Sequence, residues 1–479
     1  MNNALHALNP QDWAALHFGQ TQLKDRRRQA RAQTIAEALV SNPGLSIPQL
    51  FTRTYDVKAA YSFFDHQEAT PENIQATHKN RVFERINQPG TYLLIEDGSE
   101  FNWSDKTKRS GLGAMHKNYQ GFILQTSLAV EWFKPEVNQS KRSPTQIIGI
   151  THQEYYARVP KPENEANQDS KKRKSRARES QLWERSSNKI GKAPNQNNIR
   201  WVRVADRGAD IEFFLRSCIN QNHGFVVRAA QNRCLVDENN KSLDTKLFEV
   251  TRNQLSLGEF NLELRSRPEQ AARIARLSVS ATTVNLRSSY DEGKPAGSQA
   301  ALSCSVVRVW EANPEAGVEG LEWILLCDTK IESFEEALEI GLQYAARWLI
   351  EEYHKCLKTG LGADDLQLET AARLYAAISF MAVVAVKLLS LKEGSRVSPE
   401  AAARESGLDE LELLVLSLTL KRELRSVKDV TLALGRLGGH MNRKSDGMPG
   451  WQSLWVGMKK LQMMVDGVRL AKQNRSFGV

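Results

Sequence analysis

Two acidic residues stand where the sequence pattern would hold a carboxylate in a fixed place. Asp97 follows the apolar run Thr91 to Glu96, and Asp206 follows the apolar run Ile199 to Ala205. Because a side chain at the end of a buried strand lies at a sheet edge, two such acids on adjacent strands would converge on one divalent cation. The alternative for each is an ordinary turn residue, since Asp favours the corners that follow strands.

A third acid lies in a predicted helix from Ala337 to Lys358. With 3.6 residues per turn, one exposed stripe of that helix combines an acid, an aromatic ring and cations: Tyr344, Arg347, Glu351, Lys355 and Lys358. The opposite stripe is apolar and suited to packing on a sheet: Leu349, Ile350, Tyr353 and Leu357. The alternative is a surface helix in which the i, i+4 ion pairs serve only stability.

Together the three carboxylates would suit phosphoryl transfer. Magnesium prefers several oxygen ligands, and carboxylates from different elements can hold two ions. Two ions about 4 Å apart stabilise the attacking and leaving oxygens of an in-line displacement at phosphorus. The cations and the tyrosine on the helix would bind substrate phosphates, which the carboxylates alone would repel.

The composition is that of a folded protein with an acidic partner. The chain has 479 residues, 41% hydrophobic and 25% charged, which excludes wholesale disorder and suggests about two to four domains. A net charge of +9 favours nucleic acid or an acidic membrane surface. The 5 cysteines include no Cys-x-x-Cys pair, which argues against disulfides and structural zinc and indicates a reducing cytosol.

The predicted elements change type along the chain. Residues 1–85 have helical periodicity, and their cationic run Lys24 to Arg28, followed by Arg31, indicates either a DNA-docking module or a solvated helix face. Strands are predicted at 91–96, 121–130, 146–159, 199–205 and 224–229, in the succession of a mixed α/β layer. Residues 231–330 read as a β-rich insertion, and the chain is helical from Ser333 to Gly438.

Three further segments allow two interpretations each. The apolar stretch Leu374 to Leu391 is long enough to span a bilayer, but its alanines and Lys387 favour a buried helix. The basic run Lys171 to Arg178 would be a mobile loop or a helix ordered by phosphates. The apolar residues between Trp451 and Val465 recur at helical spacing and suit either a partner helix or the core.

Several of these residues form a known signature. The series Tyr344-x2-Arg347-x3-Glu351-x6-Lys358 is similar to the Y-(2)-R-(3)-E-(6)-K motif of bacterial cut-and-paste DDE transposases of the insertion-sequence-four family. The resemblance extends to Arg26-Arg27, Ala60-Tyr61-x-Phe63, Ile95-Glu96-Asp97, Asp206 to Ile211, Phe225 to Arg228 and Leu437-Gly438-Gly439. It therefore spans nearly the whole chain.

The resemblance implies a multi-domain α/β protein with a ribonuclease-H-like catalytic core. It assigns residues 1–85 to a helical domain that binds transposon-end DNA, 86–390 to the catalytic domain with its β-sheet insertion at 231–330, and 391–479 to a helical dimerisation domain. The implied partners are double-stranded DNA, at transposon ends and target, and a second copy of the chain, in the bacterial cytoplasm. No membrane or small-molecule substrate is implied, and the cofactor would be two Mg2+ ions per site, with Mn2+ as a substitute.

The implied reaction is hydrolysis at the 3′ end of the element, hairpin formation, hairpin opening and strand transfer. Asp97, Asp206 and Glu351 would bind the metal and perform catalysis. Trp323 would stack on a flipped base, although by sequence alone a buried strand residue is the more ordinary reading. The other implied DNA contacts are Tyr344, Arg347, Lys355 and Lys358 at phosphates, Trp348 near the displaced base, Arg228 at the transferred strand, and Arg26, Arg27 and Arg31 at the transposon end.

Some features leave room for other functions. The loop Ala229 to Arg233 is less basic than its counterpart in the family, and Asp210 and Glu352 are nearby acids for which we expect structural roles. A non-catalytic, dimerising transposition inhibitor would keep the DNA-binding features. A ribonuclease-H-fold nuclease acting on branched nucleic acid would keep the acids, but it has no need of Trp323 or of the C-terminal helices.

Overall fold

The structure is a computed structural model that describes residues 8–134, 145–159, 179–264, 273–288, 300–314, 317–443 and 446–473. The predicted basic run Lys171 to Arg178 lies outside the described residues. The described chain forms an N-terminal helical region, a large mixed sheet with associated helices, and a C-terminal helical region. A multi-domain α/β architecture with helical regions at both ends is therefore confirmed.

The N-terminal helices begin at capping residues. They are α1 (Pro10–Phe18), α2 (Arg26–Ser41), α3 (Thr54–Phe64) and α4 (Pro71–Ile86). The side chains of Asn9, Asp25 and Thr70 accept backbone hydrogen bonds at the starts of α1, α2 and α4. Pro71 is the first residue of α4, where its missing N–H is not needed, so this proline begins a helix.

The strands that the structure describes belong to one mixed sheet. They are β1 (Gly90–Ser104), β2 (Gly113–Ala114), β3 (Tyr119–Trp132), β4 (Thr145–Tyr156), β5 (Ile199–Ala205), β6 (Gly224–Arg228), β7 (Cys234–Val236), β8 (Ser242–Lys246), β9 (Gly258–Leu264), β10 (Arg273–Leu286), β11 (Leu302–Trp310) and β12 (Glu322–Cys327). Their order is β2-β3-β1-β5-β6-β12-β11-β10-β7-β8, with β4 on β3 and β9 on β10. β1 is antiparallel to β3 and parallel to β5, and β12 joins the predicted insertion to the core by pairing with β6.

The later helices connect the strands and build the C-terminal region. They are α5 (Gln181–Ile190), α6 (Glu212–Asn220), α7 (Leu247–Arg252), α8 (Phe334–Ala345), α9 (Trp348–Lys355), α10 (Ala371–Val397), α11 (Glu410–Leu420), α12 (Val427–Leu437) and α13 (Trp451–Gln473). Phe380 of α10 contacts three N-terminal rings, Phe18, Phe63 and Phe64, at centroid distances of 5.0, 5.8 and 6.5 Å. The N-terminal helices therefore share a hydrophobic core with α10.

The predicted continuous helix Ala337 to Lys358 is wrong. The N–H groups of Arg347, Leu349 and Ile350 donate to carbonyls three residues back rather than four, so the chain tightens between α8 and α9. A π-helical turn, Cys356–Gly360, follows α9. These two irregular turns change the rotation of the predicted stripe, and Tyr344 is buried, at 5% exposure, instead of exposed.

Helix α10 contains the apolar stretch Leu374 to Leu391. It is long and apolar enough to cross a membrane, but 89% of its most apolar window is buried inside the protein. The predicted buried helix is confirmed, because these side chains pack against other helices and β4. The predicted boundary between residues 390 and 391 falls inside α10, which continues to Val397.

The C-terminal helices α12 and α13 approach each other at two glycines. A Cβ on Gly438 would lie 1.8 Å from the Ser453 carbonyl oxygen, and one on Gly457 would lie 1.9 Å from that of Leu434. The apolar residues of α13 that were predicted to face a core or a partner are buried, among them Trp451, Leu461 and Val465. This face of α13 therefore belongs to the core.

Replacing Gly457 with Ala should lower the melting temperature, because its Cβ would force α12 and α13 apart, at a cost of about 2 kcal/mol or more. Gly467, on the same helix, has no atom within 4 Å of its would-be Cβ. Gly467→Ala should therefore raise stability by about 0.5–1 kcal/mol through helix propensity. Thermal unfolding by circular dichroism measures both, and shifts of the same sign would contradict this account of the glycine contact.

Candidate active site

Strands β1 and β5 place two of the predicted acids side by side. Their parallel register pairs Glu96 with Ala205, so Asp97 and Asp206 occupy the next position on each strand. β5 ends at Ala205, whereas β1 continues along β3 to Ser104. The predicted end of the first strand at Glu96 is therefore wrong. Asp97 instead marks the point at which β1 loses its β5 neighbour.

The pairing of β1 with β5 is supported by a buried ion pair next to the acids. Glu96 and Arg203 are both 0% exposed, and Arg203 Nη2 lies 2.5 Å from Glu96 Oε1. The Ser186 hydroxyl donates to the same oxygen at 3.2 Å. Because neighbouring residues on a strand point to opposite faces, this pair lies behind Asp97. Loss of either partner would leave an unpaired buried charge, so the pair disfavours other registers.

Arg347 connects the third predicted acid to the first. Its Nη1 lies 3.2 Å from Asp97 Oδ2, and its Nη2 donates to Glu351 Oε1 on α9. Asp206 accepts a 2.8 Å hydrogen bond from the Gly208 N–H, which caps the turn after β5. The predicted acids of β1 and α9 thus share one guanidinium, with Asp206 beside them on β5.

The charge state of Asp97 reflects this crowding. Burial raises its pKa from the ordinary value of 3.8 to about 6. The Arg347 guanidinium and the Gly98 N–H oppose that rise, while the charges of Asp206 and Glu351 add to it. The three carboxylates therefore share one electrostatic environment, in which additional positive charge would be stabilising.

The side chains fit a hard divalent cation by their chemistry, since carboxylate oxygens are the ligands that magnesium prefers. Within the described ranges, however, no three His, Cys, Asp or Glu side chains are grouped closely enough to hold an ion as they stand. The Arg347 guanidinium supplies positive charge between Asp97 and Glu351 instead. Metal binding by these acids would require Arg347 to release them.

Aromatic and cationic side chains extend from the acids toward the insertion. The rings of Tyr344 and Trp323 meet at 5.0 Å with an interplanar angle of 67°, and Arg347 lies 6.0 Å from the Tyr344 ring. Burial raises the Tyr344 pKa, against the effects of Arg347 and of a hydrogen bond from Arg228. Trp323 is only partly buried, so it keeps an accessible surface beside Tyr344.

The other predicted DNA contacts on and near α9 do not contact the three acids. Lys355 is exposed, whereas Lys358 donates to the Glu100 carbonyl at 2.5 Å and lies 3.4 Å from Asp364. Trp348 Nε1 donates to Glu352 at 3.1 Å. Lys358 and Trp348 thus contact neighbours other than the three acids.

His354 is a titratable group near the acids that the sequence analysis missed. It lies on α9 with Nε2 3.3 Å from the hydroxyl of Thr126, the β3 residue paired with Asp97. Burial, with the nearby charges of Lys358 and Arg347, lowers its pKa to about 3. The imidazole is therefore neutral at physiological pH and supports the strand behind Asp97.

Comparison with known families covers both ends of the chain. Residues 10–69 match the family model described as transposase DNA-binding, and residues 409–478 match the one described as transposase Tn5 dimerisation domain. The chain is a Tn5-type transposase. The resemblance identified from the sequence is thereby confirmed, and DNA and a second protomer are the partners that these regions indicate.

The N-terminal region of the transposase holds the predicted DNA contacts of α2. Arg26 and Arg27 are exposed, whereas Arg31 forms an ion pair with Asp56 at 2.9 Å. Arg31 also lies 5.9 Å from the ring of Tyr55, which is 72% exposed. An exposed aromatic ring among cations suits nucleic acid, and the sequence analysis missed Tyr55.

The predicted structural acids of the transposase have structural partners. Asp210 accepts hydrogen bonds from the Ala230 and Gln231 N–H groups at 2.7 and 2.9 Å and pairs with Arg233 at 2.6 Å. It therefore orders the loop after β6. Glu352 is buried and pairs with Lys392 of α10.

Replacing Asp97 with Asn should raise the melting temperature of the metal-free transposase at pH 8. The folded protein raises the pKa of Asp97, so the folded state binds the proton more tightly than the unfolded chain does. The charged carboxylate therefore opposes folding, most strongly above pH 6. The shift from 3.8 to about 6 corresponds to roughly 1–3 kcal/mol. The gain should shrink below pH 6 and disappear near pH 4.

Differential scanning fluorimetry from pH 4 to pH 8 measures this gain. Asp105→Asn changes an exposed acid directly after β1 and serves as the control, with no gain expected. A gain for Asp97→Asn that is constant across the pH range would contradict the assignment of the buried charge.

Proposed function

We propose that this transposase cuts and joins DNA by metal-dependent phosphoryl transfer at Asp97, Asp206 and Glu351. One observation carries the proposal: Arg347 contacts both Asp97 and Glu351, while Asp97 and Asp206 follow paired residues of two parallel strands. Two acids distant in sequence thus share one guanidinium, and the third follows the neighbouring strand. The family resemblance implies a ribonuclease-H-like core, which would hold Asp97 on β1, Asp206 directly after β5 and Glu351 on a helix after the insertion.

Each step of cut-and-paste transposition is an in-line displacement at phosphorus, so one site serves hydrolysis, hairpin formation, hairpin opening and strand transfer. Magnesium ions, when bound by the three carboxylates, would activate the attacking oxygen and stabilise the leaving oxygen. Arg347 would exchange its carboxylate partners for a DNA phosphate, which keeps the guanidinium paired throughout. Lys355 is exposed on the same helix and would add a second phosphate contact.

The aromatic side of the site suits the hairpin step. A hairpin requires one base to leave the stack, and a ring face offsets part of the lost stacking energy. Trp323 keeps an accessible surface and is held edge to face by Tyr344, which Arg228 in turn contacts. We assign Trp323 to the flipped base and Tyr344, Arg228 and Arg347 to the adjacent phosphates.

Transposon ends would be recognised by the N-terminal region. Arg26 and Arg27 are exposed at the start of α2 and are free to contact phosphates. Arg31 already forms an ion pair with Asp56. Its proposed role is to position Tyr55 and the start of α3 next to the bound DNA. The matched DNA-binding region, residues 10–69, contains all of these residues.

The central test is cleavage of DNA that contains the ends flanking the gene. In magnesium, wild type should give nicks, hairpins and excised ends on a denaturing gel, and Glu351→Gln should reduce the nicking rate by about a hundredfold or more. Glu335→Gln, an exposed acid in the first turn of α8, is the control and should cut like wild type.

The same gel separates the rival functions. Binding and pairing of ends without any cleavage by wild type would indicate a transposition inhibitor. Cleavage of branched DNA or RNA hybrids without strand-transfer products would indicate a nuclease. Equal cutting by Glu351→Gln would mean that another acid, not Glu351, completes the site.

We further assign the dimer contact to an apolar stripe on α13. Val456, Met463 and Leu470 recur every seven residues on the side of α13 away from the core, with 39%, 73% and 59% exposure. A seven-residue repeat is the spacing at which two helices pack along their length. The stripe lies within the matched dimerisation domain, residues 409–478, so a second α13 is the partner that it fits.

Met463→Lys should weaken pairing of two DNA-bound protomers about tenfold to a hundredfold, because it places a charge in the middle of the stripe. Leu255→Lys, which changes an even more exposed apolar side chain in the insertion, should leave pairing unchanged. Analytical ultracentrifugation with end DNA distinguishes single from paired complexes. Unchanged pairing by Met463→Lys would exclude this face as the interface.

A further inference from the structure

Glu352, the neighbour of the proposed metal ligand Glu351, is anchored by three donors inside the protein. Trp451 Nε1 donates to its Oε2 at 2.7 Å, and Trp348 Nε1 donates to its Oε1 at 3.1 Å. The Lys392 ammonium pairs with the same carboxylate and lies 4.2 Å from the Trp451 ring. These partners come from α9, α10 and α13, so one buried carboxylate joins three helices.

Helix α9 depends on such contacts for its orientation. It has only eight residues, it begins after turns with three-residue hydrogen bonds, and it ends in a π-helical turn. Its backbone hydrogen bonds therefore do not continue those of α8, and a helix this short takes its stability from tertiary packing. Consecutive helical residues point about 100° apart, so fixing Glu352 fixes the direction of Glu351.

The anchor on α13 lies at the start of the helix that bears the proposed dimer stripe. Trp451 is the first residue of α13, and it stacks on Trp455 with centroids 5.0 Å apart. Trp455 in turn fills the space above Gly360, where a Cβ would lie 1.4 Å from its ring. Helix α13 therefore contacts both α9 and the turn that follows it.

We propose that Glu352 is a positioning residue that makes the direction of Glu351 depend on the docking of α13. The inference rests on the proposed role of Glu351 as a metal ligand. Through Trp451 and Glu352, the C-terminal region that pairs protomers also sets the geometry of the acid site. Displacement of α13 frees α9 to rotate and separates Glu351 from Asp97 and Asp206.

Two tryptophan substitutions separate positioning from general stability. Trp451→Phe keeps an aromatic ring but removes the N–H donated to Glu352. Trp455→Phe removes an equivalent ring nitrogen on the same helix, and in the described structure that nitrogen is buried without a hydrogen-bond partner. Both substitutions remove a similar packing area. The variants differ because only Trp451→Phe also removes a hydrogen bond to Glu352 on α9.

Three quantities are compared for wild type and the two variants: binding of end DNA by gel shift, Mn2+ binding by electron paramagnetic resonance, and single-turnover nicking. Trp451→Phe should weaken Mn2+ binding and slow nicking about tenfold while end binding stays within about twofold. Trp455→Phe should leave all three within about twofold. Glu352→Gln keeps the side-chain size and should change Mn2+ binding and nicking as Trp451→Phe does. It replaces Trp451→Phe in the comparison if that variant does not fold.

The outcomes distinguish this inference from the proposed function. If wild type nicks DNA and Trp451→Phe and Trp455→Phe lose nicking equally, in proportion to their melting temperatures, the contact only stabilises the fold and the inference is overturned. If Trp451→Phe nicks and binds Mn2+ like wild type, the inference is likewise overturned. If wild type neither binds Mn2+ nor nicks, the proposed function itself fails, and the inference with it.

Discussion

The contacts of Arg347 with Asp97 and Glu351 are the interaction on which the arrangement of this site depends. They join the interior strand β1 to the start of a short helix, where Arg347 lies 250 residues after Asp97 in the chain. Without a cation between them, two carboxylates beside a third would repel one another in a partly buried space. Burial is the main cause of the raised pKa of Asp97, and the charges of Asp206 and Glu351 raise it further. The guanidinium holds Asp97 and Glu351 together. In the proposed reaction, metal ions would take over that role while Arg347 pairs with a DNA phosphate.

The position of the acids on the fold was largely predictable from the sequence. Apolar runs ending at Asp97 and Asp206 predicted two strands, and these strands are parallel neighbours in the sheet. The buried role of Leu374 to Leu391 followed from its alanines and from Lys387. In these cases the deciding information, hydrophobic periodicity, is local in the sequence.

The parts that could not be predicted depend on partners distant in the chain. The break before α9 follows from backbone bonds that accommodate Arg347 beside Asp97, and nothing in the residues around Ala346 signals it. Lys358 fits the stripe of an ideal helix, but the actual helix ends in a π-helical turn, so this lysine meets Glu100. A structural role was expected for Glu352, but its partners Lys392 on α10 and Trp451 on α13 lie far along the chain and could not be predicted.

The continuity of the sheet across the insertion has a mechanical consequence. Asp206 follows β5 and Trp323 lies on β12, with only β6 between these strands. At about 4.8 Å per strand, backbone hydrogen bonds fix the lateral offset between β5, which leads to Asp206, and β12, which carries Trp323, at about 10 Å. A hydrogen-bonded sheet resists shear within its plane far better than a loop resists bending. In the proposed reaction the protein therefore acts as a rigid template, and most of the deformation needed to form a hairpin falls on the DNA.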